Sequence, residues 1–167
     1  MFKDSLETVA LFGGSFDPPH FGHKMVVEEA LKTLSINKLI IVPTFLNPFK
    51  TQSYSTPYER LEMSKEIFKS FSKVEVSDYE IEEKKPTPTA QTVQYFQQRY
   101  RVQYIIIGAD NLNSIDKWYN FKWLNKQVTW VIASRVGYVV SSDKLRDFIV
   151  LDVVADISST QIRNQNK

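Results

Sequence analysis

Six short apolar runs punctuate the chain, at 9–12, 39–42, 74–76, 104–107, 128–133 and 148–151. Apolar residues follow one another in them without strict alternation, the pattern of strands covered on both faces, and helical patterns separate them. After the first run, Val27, Ala30, Leu31 and Leu34 recur at helical spacing, and His23 lies four residues before Val27 on the same stripe. Thr56-Pro57-Tyr58-Glu59 is a capping box with proline at the first helical position, and the helix it opens buries Leu61, Ile67, Phe68 and Phe71. Pro86 and Pro88 make 82–89 a loop, after which Val93, Phe96 and Tyr100 mark a third helix. The stretch 112–124, with Trp118, Tyr119, Phe121 and Trp123, is too irregular for one clean helix. Strand and helix in alternation predict an α/β fold built on a doubly wound parallel sheet.

Length and composition narrow this further. A chain of 167 residues can bury roughly two-thirds of its unfolded surface in one core, so 1–167 is expected to form a single domain. Without cysteine there is neither a disulfide framework nor a thiolate metal site. The charged start, Met1-Phe2-Lys3-Asp4-Ser5-Leu6-Glu7, lacks the apolar core of a secretory leader. No run approaches the ~20 apolar residues of a membrane span, so a cytoplasmic protein without a membrane partner is expected. The net charge is only +2 and the longest basic cluster is Lys84-Lys85, so no basic stripe announces nucleic acid. Homo-oligomer formation is left open.

The chemistry concentrates in Gly13-Gly14-Ser15-Phe16-Asp17-Pro18-Pro19-His20-Phe21-Gly22-His23, which joins the first strand to the first helix. Glycines directly after a strand let backbone approach a ligand, and the helix start directs free N–H groups into the same space, a place for phosphate. His20 and His23 are the only histidines, three residues apart at the helix start. Zinc is disfavoured, because only carboxylates could complete the ligand set. The imidazoles read as hydrogen-bond donors to an α-phosphate; the bland alternative leaves His23 filling a gap under the helix. Asp17 reads as a turn residue bonding nearby backbone N–H groups. Lys50, in a loop past the second strand, either neutralises phosphate or is simply solvated. Gly108-Ala109-Asp110 places a second glycine at a strand end, with Trp118 and Tyr119 following to stack on a flat ring or fill core. Ser158-Ser159-Thr160-Gln161-Ile162-Arg163 is a hydroxyl-rich helix start with an arginine, able to hold a second phosphate group.

His20-Phe21-Gly22-His23 resembles the signature of the H-x-G-H nucleotidyltransferase superfamily, and the Gly13 to His20 opening resembles the nicotinate-nucleotide adenylyltransferases. Arg60-Leu61-Glu62-Met63, Thr89-Ala90-Gln91-Thr92, Gly108-Ala109-Asp110 with Trp118-Tyr119, the 48–50 loop and 157–163 also have counterparts there, in order. The resemblance implies a Rossmann-like nucleotidyltransferase fold and transfer of AMP from ATP to nicotinate mononucleotide, forming deamido-NAD and pyrophosphate in NAD biosynthesis, with Mg²⁺ accompanying ATP. It implies ATP binding by Gly13, Gly14, Ser15, Phe16, His20, His23, Ser158, Ser159 and Arg163, and catalytic roles for His20, His23, Lys50 and Arg163. On the substrate side it implies Trp118 stacked on the pyridine ring, backbone N–H groups of Thr89 and Tyr119 on its carboxylate, and Gly108 and Asp110 at the ribose. Departures from the pattern are Phe49 where histidine is frequent, and Pro88, Gln91 and Val136 in place of tyrosine, aspartate and proline. The rival readings are a pantetheine-phosphate adenylyltransferase, which usually lacks the doubled glycine, and a nucleotide-binding module that no longer catalyses.

Overall fold

The computed structural model describes residues 6–45, 55–135 and 142–153. Its strands are β1 (Thr8–Gly14), β2 (Lys38–Pro43), β3 (Val74–Val76), β4 (Arg101–Gly108), β5 (Thr129–Arg135) and β6 (Phe148–Val153). All pair in parallel in one sheet of order β3-β2-β1-β4-β5-β6. The helices are α1 (Phe21–Thr33), α2 (Pro57–Phe68), α3 (Tyr79–Glu82), α4 (Thr89–Gln97) and α5 (Phe121–Gln127).

The continuous apolar runs follow from this layering. Side chains alternate across a strand, so Val9 and Leu11 of β1 enter one core while Ala10 and Phe12 enter the other. Ile105 and Ile107 of β4 oppose Ile106 in the same way, and Trp130 and Ile132 of β5 oppose Val131. Val93, Phe96 and Leu124 bring α4 and α5 onto the first face, and Val26, Val27, Ala30 and Phe68 bring α1 and α2 onto the second. Each fully buried aliphatic side chain contributes about 1.5–3 kcal/mol, and the sheet needs apolar residues on both faces to collect it.

All six expected strands form. β4 begins three residues before its apolar run, because Val102 is buried in register with Val9. Leu34 is the C-cap of α1 rather than part of it, its N–H bonding Ala30 O. The turn of helix α3 precedes the expected loop. The capping box of α2 is present in both directions, between the Thr56 side chain and Glu59 N and between the Glu59 side chain and Thr56 N.

The strand order turns back at the pair β1 and β4: β2 and β3 lie to one side, β5 and β6 to the other. Parallel strands all end at the same edge, and a crevice opens there where the order reverses. Arg60, fully buried in α2, fastens the loops at this edge. Its Nη1 donates to Ser15 O at 2.7 Å, its Nη2 to Phe45 O at 2.7 Å and its Nε to Ser55 O at 3.4 Å. Burial lowers its pKa and the nearby Asp17 charge opposes that. Asp17 also holds a distant segment to this edge: its Oδ1 accepts from Ser55 N at 2.9 Å. Arg60→Met leaves three carbonyls without their donor and is expected to cost about 3–5 kcal/mol. Thermal unfolding should then fall by roughly 6–20 °C, whereas Glu62→Met on the exposed face should leave it within about 2 °C.

Candidate active site

His20 is the N-cap of α1, and its side chain does the capping. Its Nδ1 accepts from Gly22 N at 3.0 Å, while His23 Nδ1 accepts from His20 N at 3.0 Å, a capping box made of two imidazoles. A ring nitrogen that accepts carries no proton, so in each neutral ring the proton sits on Nε2. The helix start thus selects the tautomer and leaves each Nε2–H as a donor. The rings lie 4.0 Å apart between centroids. Phe16 at 4.8 Å and Phe12 at 6.1 Å pack His23 from the sheet side. Burial, with the neighbouring His20 adding to it, pushes the His23 pKa down to about 3. Burial also lowers that of His20. Both rings are uncharged donors at neutral pH.

Phe16 takes a left-handed backbone, with φ of 50°, while its ring is buried beneath α1. The backbone of the loop is thereby turned outward and its side chain inward. Ser15 presents its carbonyl to Arg60.

Across the β1 and β4 ends lies a cavity of about 470 Å³, with Gly13 and Gly14 on one side and Thr89, Asp110, Trp118 and Tyr119 on the other. Four of the five expected substrate residues therefore share one space with the glycines of the first loop. Gly108 is not among the lining residues, and a Cβ there would come within 2.7 Å of Asp110 Oδ1 as that side chain now lies. Thr89 opens α4, whose first intrahelical bond is Gln91 N to Pro88 O at 3.0 Å, so the amides of Thr89 and Ala90 precede the ladder. Trp118 is half-buried, edge-on to Trp130 at 5.9 Å, and Tyr119 is 68% exposed at the rim. Trp118 and Trp123 both pack against the first core, and of the two only Trp118 also lines the cavity. Pro88 lines the cavity, whereas Gln91 turns to the Tyr79 hydroxyl and Glu83.

Three contributors escape the sequence reading. Arg60 lies at i, i+4 and i+8 with Ser64 and Phe68, on the buried stripe of α2, which is the signal that could have shown it. Lys144 pins the segment after β4 through Leu112 O, Asn113 O and Asp116. Glu80 of α3 lines the cavity while 5% exposed. Lys50, Ser158, Ser159 and Arg163 lie outside the described residues, as do Phe49 and Val136.

Comparison with known proteins places this geometry. The cytidylyltransferase-like family model matches residues 11–165. A protein of Sulfurovum sp. named "Probable nicotinate-nucleotide adenylyltransferase" is 47% identical over 99% of this chain and 88% of its own length. One of the same name from Aliarcobacter butzleri is 49% identical over 94% of this chain and 86% of its own. Among solved structures, the Plasmodium falciparum nicotinic acid mononucleotide adenylyltransferase complexed with NaAD shares the fold at TM-score 0.75 and 21% identity, covering 95% of this chain and 83% of that one. A match to the family model along nearly the whole chain, with relatives close to half identical over the same span, means that the chain belongs to the nicotinate-nucleotide adenylyltransferase family of cytidylyltransferase-like proteins.

Proposed function

We propose that the chain transfers AMP from ATP to nicotinate mononucleotide in NAD biosynthesis, releasing pyrophosphate and forming deamido-NAD. The reciprocal histidine cap carries this reading, because it fixes two neutral Nε2–H donors at a helix N-terminus beside a glycine loop. The phosphate of nicotinate mononucleotide attacks the α-phosphorus of ATP, a new P–O bond forms, and the bond to the bridging oxygen of pyrophosphate breaks. The nucleophile is already ionised, so no base is needed and positioning with charge stabilisation suffices. His20 and His23 donate to the α-phosphate, where negative charge builds in the transition state. The backbones of Gly13, Gly14, Ser15 and Phe16 border the shared nucleotide site, and Lys50, Ser158, Ser159 and Arg163 grip the triphosphate. Among the described residues no three His, Asp or Glu side chains converge on a metal position. Mg²⁺ is read as accompanying ATP, as part of that substrate.

In the cavity Trp118 stacks on the pyridine ring, Asp110 bonds a ribose, supported by Gly108, and the amides of Thr89 and Tyr119 receive the ring carboxylate. A carboxamide would turn its own N–H groups toward these donors and leave them unpaired, which favours the acid. The chain acts as one domain in the cytoplasm; among the described residues no helix is long and apolar enough to cross a membrane.

Pyrophosphate release with ATP and Mg²⁺ should be strong with nicotinate mononucleotide and weak with nicotinamide mononucleotide or phosphopantetheine. His20→Ala should lower kcat/KM by about 10²–10³. Turnover of phosphopantetheine alone, or a His20→Ala loss under about threefold, would overturn the assignment.

The histidine states are checked directly by ring nitrogen shifts in NMR. At pH 8 both rings should read as neutral Nε2–H tautomers, and His23 should show no titration above about pH 5. Unfolded histidine binds its proton near pH 6.5, whereas folded His23 does so only near 3. The unfolded state thus holds more protons between those values, and folding stability should fall as pH drops below about 6.5.

A further inference from the structure

Four buried side-chain polar atoms have no hydrogen-bond partner among the described residues. Three of them, Thr44 Oγ1, Glu80 Oε1 and Trp118 Nε1, belong to residues lining the cavity described above. Buried polar atoms are almost always paired, so a cluster around one cavity marks where the polar atoms of a ligand go. Glu80 is the unexpected member, since its carboxyl borders the space that is to receive another carboxylate.

Its placement is fixed from both sides. It extends from α3, and Thr92, one turn into α4, holds Oε2 through its hydroxyl at 2.5 Å. Oε1 is the oxygen left without a partner among the described residues, on a side chain that lines the cavity. On its own element Tyr79 and the adjoining Glu83 bond each other and Gln91; from α4 Thr92 bonds Glu80 directly, and Thr89, Asp110 and Lys117 line the same cavity. Burial raises the Glu80 pKa to about 8, against the pull of the Thr92 hydroxyl.

Resting on the nicotinate mononucleotide reading above, we propose that Glu80 is a specificity residue that meets the ring carboxylate in its protonated form, donating Oε1–H to it, and turns the anion away once ionised. Two carboxylates in one desolvated site cannot both be charged, and one shared proton removes the conflict. The acid hydroxyl then adds a third donor to the amides of Thr89 and Tyr119. A carboxamide nitrogen cannot accept that hydrogen. The ionised form reverses the preference, since it accepts from an amide N–H and repels an anion.

The test is the KM for nicotinate mononucleotide across pH 7 to 9 at saturating Mg-ATP. In the wild-type protein it should rise about tenfold, as one protonated group is lost. The KM for ATP should stay constant, and the preference for acid over amide should shrink. In Glu80→Gln, which keeps a neutral donor, the KM for nicotinate mononucleotide should vary by less than about twofold over the same range. A flat wild-type profile, or an equal rise in Glu80→Gln, overturns the inference. A measurement independent of any variant is calorimetric titration of the wild-type protein with nicotinate mononucleotide at pH 8 in buffers of different ionisation heat. About half a proton should be taken up per molecule bound, and uptake near zero overturns the inference. Failure of nicotinate mononucleotide to turn over at any pH overturns the parent reading and this inference with it, a result distinct from a flat profile.

Discussion

The guanidinium of Arg60 sits where three stretches of backbone meet, and the geometry at the strand ends rests on it. Ser15 belongs to the loop after β1, Phe45 to the segment after β2, and Ser55 to the approach to α2. None of these carbonyls has a sheet or helix partner to hold it, and a planar fork of donors satisfies all three at once. Burying the charge is costly, and the neighbouring Asp17 carboxylate offsets part of that cost. Asp17 is itself tied to Ser55 N, so the acid and the base brace the same junction from two directions.

With that junction fixed, the sheet separates the two halves of the site. His23 packs on Phe12 and Phe16, which belong to the core under α1 and α2, and His20 packs on His23. The cavity opens beside Leu11, Ile105 and Ile107, which belong to the core under α4 and α5. Gly13 and Gly14, which end β1, border the cavity and lead directly into the histidine loop. On the proposed reading, phosphate donors and ring-binding groups can be shaped independently, meeting where the strand order reverses.

What the sequence makes legible follows from how local each signal is. The inner strands β1, β2, β4 and β5 are buried on both faces and stand out as apolar runs, whereas the edge strand β3 shows only Val74 and Val76 around an exposed Glu75. The Thr56 to Glu59 cap is visible because both partners lie within one turn. The pair His20 and His23 is visible for the same reason, although its role in capping emerges only with the atoms. Arg60 and Glu80 are hidden because a buried charge and a solvated one are the same letter. Their burial is decided by elements far along the chain: loops after two other strands for Arg60, and α4 for Glu80. Asp17 shows the limit well, since a turn residue is expected to bond nearby backbone, and the partner that the sequence does not suggest lies 38 residues away. Gly108 is placed correctly at a strand end, yet it is not among the residues that line the cavity.

The histidine capping box narrows what evolution can place at its two positions. Each side chain must offer an acceptor to the helix start and, on the proposed reading, a donor to the ligand, pointing in different directions from one rigid frame. Serine, threonine and aspartate can cap a helix but cannot hold a donor on the far side. Asparagine carries both functions on a single carbon, so its acceptor and donor cannot be separated across a ring. Imidazole alone joins the two tasks, and the same hydrogen bonds that start the helix also orient the proton. Helix nucleation and phosphate recognition are therefore not separable traits in this chain: a substitution that loosens one changes the other.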